Sequence, residues 1–429
     1  MGIDLWNSSR KGEGKLEKTV KIAMIILLSL FFVAVKPGMI LAKGEQSFLS
    51  QIDKDGESLS GNVLMQRLET TGFYISGSIS VDDSAIIIKK DDSVSIYEPD
   101  EYGIWKQKTK LTPNDGNKWF GVGESVAISG DIGVVNACFD DEKGHNAGSL
   151  YIFERNGNGI WGQKTKLTAS DTVSGDYFGW SFAVSGNILA VSAPGDDDKG
   201  IDSGSVYIFE RDGDGNWNQK TKLAASDGTH SFGYSIAISE NTIVVDSPGN
   251  ESYNGTESIY IFECDDRGIW NQKSKLIVGD GAEKNVISMS LAISGNIIAL
   301  GSYFDDVNGE DSGSVYIFER DSYGDWNQKT KLTASDGASR DSFGYSVAVS
   351  GNMTIVGSYL DDDEGEDSGS VYVFERNSNG DWSQKLKLKA DDKVTGDWFG
   401  HRVAIFGKNI FSMSYSGVYR YQLNVTGQL

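Results

Sequence analysis

Three features of the sequence predict an all-β chain folded as a closed ring of seven four-stranded sheets, a seven-bladed β-propeller. First, Trp105, Trp161, Trp217, Trp270, Trp326 and Trp382 recur at spacings of 56, 56, 53, 56 and 56 residues. A period this long, built of short strand-like runs, does not fit helical solenoids and fits propeller blades. Second, each unit carries a run such as Ser314–Glu319 (SVYIFE) that is apolar on both faces and needs cover on both sides, which adjacent blades supply. Third, strand-like runs can be counted. Innermost strands begin near Ile75, Phe120, Phe178, Phe232, Ile287, Phe343 and Phe399, and third strands contain Tyr97, Phe153, Phe209, Phe262, Phe318, Phe374 and Tyr421.

Within a unit the elements follow in order. In the unit from Phe343, FGYSVAVS reads as the innermost strand, with small residues where strands crowd an axis. Gly351–Asn352 is a tight hairpin signal, TIVGS the second strand, and YLDDDEGEDSG an acidic loop. SVYVFE is the third strand, NSNGDW a second hairpin, and WSQKLKL the outermost strand. Outer strands are sheet edges. A recurring lysine pair, as at Lys329 and Lys331, reads as protection of that edge against sheet-to-sheet aggregation, both lysines on one face. The tryptophans read as core or hairpin packing residues. Only six outer strands carry a tryptophan, so Asn62–Leu68, just before the first unit, is expected to complete the last blade and close the ring.

The chain outside the ring divides at residue 42. Five basic residues (Arg10, Lys11, Lys15, Lys18, Lys21) precede the 14-residue apolar run Ile22–Val35, with the small residue Ala42 as a cleavage point. This is the pattern of a secretory signal, with an uncleaved anchor as the alternative. Residues 43–61 read as a polar linker and 62–429 as the propeller, in a product secreted or membrane-anchored by its N-terminal segment. Removing residues 1–42 leaves 33 basic and 58 acidic side chains, a net charge of −25. Such a chain should avoid nucleic acid and anionic membranes. Cys138 and Cys264 fall at different repeat positions and are not expected to pair, so a large core must carry stability. Asn250, Asn254, Asn352 and Asn424 begin sequons that suit glycosylation of an exported surface.

The stretch Tyr177–Asp198, YFGWSFAVSGNILAVSAPGDDD, resembles an FG-GAP repeat, with Phe178-Gly179 and Ser192-Ala193-Pro194 in the defining places. Phe-Gly recurs at 120–121, 232–233, 343–344 and 399–400, while Ile75-Ser76 and Ile287-Ser288 replace it in two units. The resemblance spans nearly the whole ring. It implies the propeller of integrin α-subunit heads and an extracellular binding or adhesion role. The hairpin between first and second strands, only SGN at Ser185–Asn187, has too few oxygen donors for the calcium loop usual in integrin-type blades.

The acid lies instead between the second and third strands, as D-D-x-x-G-x-[DN]-[SA]-G-S. Candidate calcium ligands are Asp196, Asp197 and Asp202; Asp305, Asp306 and Asp311; Asp361, Asp362 and Asp367. The competing reading is a solvated acidic turn whose Asp and Ser side chains cap its own backbone. A related loop starts at Asp140, with Asn146 in the last acidic place. Loops between strands two and three share a face with those linking strand four to the next strand one, and that face concentrates carboxylates.

Catalytic patterns are weak. His145, His230 and His401 hold unrelated repeat positions and form no metal motif. The hairpin RDGDGNW at Arg211–Trp217 resembles the Asp-box of sialidases, but Arg155, Arg211, Arg320 and Arg376 are spread round the ring and do not converge. The expectation is a non-enzymatic module that binds an extracellular protein or glycan through its acidic loop face, with or without Ca2+. A propeller glycan hydrolase or lyase, or a purely structural matrix component, is the alternative.

Overall fold

The computed structural model describes residues 46–48, 51–52, 58–59, 63–68, 77–90, 93–115, 125–248, 257–278, 288–391 and 394–423. The expected signal lies outside them, as do Asn250, Asn254 and Asn424. Among the described residues there is no helix. Among the described residues the strands form seven antiparallel sheets in sequence order round a ring, six with four strands linked as a meander and the last with N-terminal strands added to a C-terminal meander, plus a two-stranded hairpin, Gln51–Ile52 with Ser58–Leu59.

Blade 6 shows the plan, with strands at Ser346–Ser350, Met353–Ser358, Ser370–Arg376 and Trp382–Leu388. The third strand is buried on both faces because its alternate residues enter different cores. In blade 5, Val315 and Ile317 pack with Val356 and Tyr372 of blade 6, whereas Tyr316 and Phe318 pack with Val244 and Ile259 of blade 4. The hydrophobic core is thus a set of layers between neighbouring sheets, where burial of apolar surface stabilises the ring.

The expected closing strand is present. Val63–Leu68 pairs with Val418–Leu423, from Leu68 against Val418 to Val63 against Leu423. The segment read as a linker adds more: Gln46–Phe48 pairs with Leu64–Gln66 as a fifth strand of that sheet.

Two details depart from expectation. The Phe of each described Phe-Gly stands three to four residues before the regular innermost strand, which begins at Phe182, Ile236, Ser346 or Arg402. Phe178, Phe232, Phe343 and Phe399 are fully buried, edge-on against the Tyr and Phe of their own third strand, as Phe399 is against Tyr419 and Tyr421. The Phe-Gly backbone lies on the preceding blade: Phe399 N donates to Ser368 O, and a Cβ on Gly369 would sit 2.1 Å from the Phe399 carbonyl oxygen. With its φ of +78°, Gly369 admits no side chain, which explains the invariance of Gly in the Ser-Gly-Ser run of blades 3, 5 and 6.

The second departure concerns the lysines. The outer strand is bulged in six blades, and the unpaired residue is always the first lysine. In blade 5 Phe318 pairs with Gln328 and Ile317 with Thr330, so Lys329 is skipped. A bulge breaks the two-residue alternation, and the two lysines do not share one environment. Lys329 remains on the open edge, as expected of a protecting residue, while Lys331 lies over the Tyr316 ring.

Candidate functional site

The loop face holds two constellations, one copied between blades and one in which a repeated serine ring meets aromatic residues that differ between units. The copied one contains the candidate calcium ligands. In blade 6, Lys387 Nζ reaches Asp361 (2.8 Å), Asp336 (2.9 Å) and Asp363. The Tyr372 hydroxyl donates to Asp361 Oδ2 at 2.8 Å, and the ammonium lies 5.0 Å from the centre of that ring. In blade 3, Lys222 joins Asp196 (2.6 Å), Asp171 (3.0 Å) and Asp198, and Tyr207 donates to Asp196. In blade 5, Lys331 pairs with Asp305 at 2.6 Å, and in blade 2 Lys166 pairs with Asp140 at 2.7 Å. Burial opposes the charge on Lys222 and Lys387, yet the surrounding carboxylates hold both pKa values above the ordinary lysine range.

The other two acids of each loop serve its backbone. Asp197, Asp306 and Asp362 each accept the amide of the residue five places on, at 2.7–2.8 Å. Those residues, Asp202, Asp311 and Asp367, have φ of 50°, 54° and 53°, a left-handed conformation that Asp and Asn tolerate better than most. Their carbonyls accept amides of the next connection: Ser231, Ser342 and Trp398. Asn146 has the same φ and the same role in blade 2, so the seventh place requires an αL-tolerant side chain and not a charge.

The loops therefore bring together a buried carboxylate and an internal ammonium, and turn the second acid of each to capping. Calcium takes six to eight oxygen ligands. Among the described residues no three His, Cys, Asp or Glu side chains converge as a metal set, and a lysine already lies against the first carboxylate of each loop. The donor set does not fit calcium.

A second copied network joins blades at the rim. Arg211 makes two bonds to Glu154 (2.8 and 3.0 Å), Arg376 two to Glu319 (2.8 and 2.9 Å), and Arg155 and Arg320 reach Glu98 and Glu263. Each Arg bonds the Glu of the preceding blade, so these arginines join neighbouring blades and do not converge. The tryptophans Trp105, Trp161, Trp217, Trp270 and Trp326 are buried, as expected of packing residues. The hairpin before each is capped from within, as where Asp212 Oδ1 accepts the amides of Asp214 and Asn216.

The other constellation of the loop face surrounds the ring axis. Ser78, Ser125, Ser181, Ser235, Ser290 and Ser346, one from each of six blades, line a cavity of about 330 Å³, and Arg402 fills the seventh place. These serines link inner strands: Ser78, Ser181 and Ser290 Oγ accept the amides of Val126, Ile236 and Val347 in the following blade. Beside them stand Trp180, Tyr234 and Tyr345, with Phe139 at the mouth. Phe139, Tyr177, Trp180 and Tyr234 form one run of ring contacts, with centroids 5.7–6.2 Å apart. Tyr345, Tyr359, His401 and Trp398 form another. Burial and the adjacent Arg402 lower the His401 pKa to about 3, so its ring is neutral at physiological pH. Arg402 donates to the His401 carbonyl and lies over Tyr345, 5.3 Å from the ring centre. The sequence reading did not single out these aromatic residues. The available signal was the position after Phe-Gly, which holds Trp180, Tyr234, Tyr345 and His401 in four units.

No curated protein matches the chain. Among solved structures, one described as "Streptogramin B lyase structure" aligns with a TM-score of 0.49 at 9% identity, over 85% of this chain and 98% of that one. The FG-GAP repeat matches at residues 105–153, 161–209, 217–262, 270–318 and 326–374. Each match runs from the tryptophan of one outer strand to the aromatic residue of the next third strand, so the repeating sequence unit straddles the junction between two blades. These matches cover more than half of the chain, which belongs to the FG-GAP repeat family.

Proposed function

We propose that this protein is a secreted or surface-exposed, non-enzymatic binding module that engages an extracellular protein or glycan at the axial mouth of its loop face. A propeller of FG-GAP repeats is in general a binding or adhesion-type module, and the finer reading rests on one observation. The copied residues (Phe-Gly, Ser-Gly-Ser, the Lys–Tyr–Asp sets and the Arg–Glu pairs) serve contacts within and between blades. The residues that vary between units, Trp180, Tyr234, Tyr345 and Arg402, meet at a cavity open to a partner. Its described lining offers rings, hydroxyls, an amide and a guanidinium, groups suited to holding a ligand. The exposed acids of the loops surround this mouth and would set the charge preference of a large partner. Engagement does not require calcium, because lysines already neutralise the inner carboxylates.

Binding of the purified protein to a panel of extracellular proteins and glycans, with and without chelator, tests this reading. Binding should survive chelator and the rim variant Lys329→Ala, and be lost in Trp180→Ala with Tyr345→Ala when melting shows the variant folded. Retention of binding by that variant would move the site elsewhere on the ring.

A further inference from the structure

We infer that the axial cavity binds a single pyranose sugar residue, its apolar ring face laid on Trp180, Tyr234 or Tyr345 and its hydroxyls met by the ring of serines. This rests on the binding-module reading and names the ligand class for the same site.

The volume of about 330 Å³ lies at the small end of the range of ligand pockets, roughly 300–1,000 Å³. It suits one compact ligand and not a peptide segment. The chemistry of the lining divides sharply. One part is aromatic, and its rings are held edge-on or tilted by one another, as Trp180 is by Tyr234 at 5.7 Å and Tyr345 by His401 at 5.1 Å. Rings fixed in this way present a face at little entropic cost on binding. The other part is polar: Ser78, Ser181 and Ser290 Oγ accept an amide from the neighbouring blade, so each hydroxyl oxygen is fixed while its own proton can be donated inward. Asn136 donates from Nδ2 to Gly179 O and accepts the Ser125 amide at Oδ1, whose second lone pair can accept from a ligand.

A purely aromatic or aliphatic ligand would cover these hydroxyls without replacing their bonds to water, which penalises the burial of each polar group. A small inorganic anion would leave the ring faces exposed to water. A pyranose satisfies both parts, with C–H bonds on its faces and hydroxyls at its edge that donate as well as accept. Among the described residues that line the cavity there is no carboxylate, in a chain of net charge −22. Arg402 is the one charged side chain among them, so uronic acids belong in the test beside neutral sugars.

Titration of the full-length protein with methyl pyranosides and methyl pyranuronosides, followed by tryptophan fluorescence and calorimetry, decides the matter. At least one sugar should saturate the protein, and Trp180→Ala and Tyr345→Ala, on different blades, should each weaken that sugar tenfold or more. If no sugar in the panel binds up to about 10 mM, near −3 kcal/mol, or if both folded variants bind as well as the wild type, the inference is overturned. Failure here is distinguishable from failure of the broader reading. A macromolecular partner that needs Trp180 and Tyr345 but is not displaced by any sugar removes the sugar and leaves the binding module intact.

Discussion

Blade 6 and blade 1 fill the same strand positions with different chemistry. In blade 6 Tyr372 stands opposite Lys387, which reaches three carboxylates, and the connection between second and third strands is the long acidic loop. In blade 1 Ser95 stands opposite Lys110, Lys110 is exposed, and only two residues separate the second strand, Ile86–Lys90, from the third, which starts at Ser93. Intermediate cases follow the same logic. Blade 4 keeps Tyr260 opposite Lys275, with Asp227 supplied by the connection leading in from blade 3, and blade 7 sets Arg67 over Tyr419. Tyrosine and the cation beside it are kept or lost together, whereas the carboxylates vary with the connections that supply them.

Substitutions can break this comparison. Lys387→Met should cost the most, about 3–5 kcal/mol, because it leaves the buried Asp361 carboxylate without its cation. The equivalent Lys110→Met in blade 1 should stay within about 0.5 kcal/mol. Denaturant unfolding of the two variants measures the contrast, and equal costs would mean that the blade 6 network adds nothing. Tyr372→Phe removes one donor to Asp361 but leaves Lys387 in place, and should cost about 1–2 kcal/mol in the same assay.

A smaller effect concerns pH. Burial raises the Asp341 pKa to about 6, helped by repulsion from Asp361. A raised carboxyl pKa contributes stability that is complete below the unfolded value of 3.8 and is lost as pH rises through about 6. Asp341→Asn should therefore reduce the loss of unfolding free energy between about pH 4 and pH 7 by about 1 kcal/mol. Urea titrations of both proteins at several pH values check the sign. Smallest of all is the response to calcium. Millimolar Ca2+ should move the melting temperature by less than about 1 °C, since mass action needs a site that the folded state offers. A rise of several degrees would return the acidic loops to the role of metal sites.

The ring was legible because its cause is periodic. The tryptophan spacing, the doubly apolar third strand and the missing seventh outer strand predict seven blades and closure by Asn62–Leu68, and the strand at Val63–Leu68 is there. The chemistry of the loop face was less legible. Counting by twos along WNQKTKL puts Lys329 and Lys331 together, but the bulge at Lys329 separates them, and no local pattern announced it. Asp361 and Lys387 are 26 residues apart, and their contact depends on the antiparallel pairing of third and outer strands. Aromatic residues at the axis come from units more than 50 residues apart, so only alignment of the units on Phe-Gly brings Trp180 and Tyr345 into one column.

The closing sheet has a consequence for how the molecule is made. Residues 63–68, among the first of the ring to leave the ribosome, find their partner only when residues 418–423 have followed. Until then six sheets can assemble in succession while the two end sheets each keep an uncovered apolar face, a state prone to off-pathway association. Vectorial synthesis thus leaves the latch to the final step. Deleting a few residues at either end of that latch should harm the yield of native protein more than an equal deletion in any single loop between sheets.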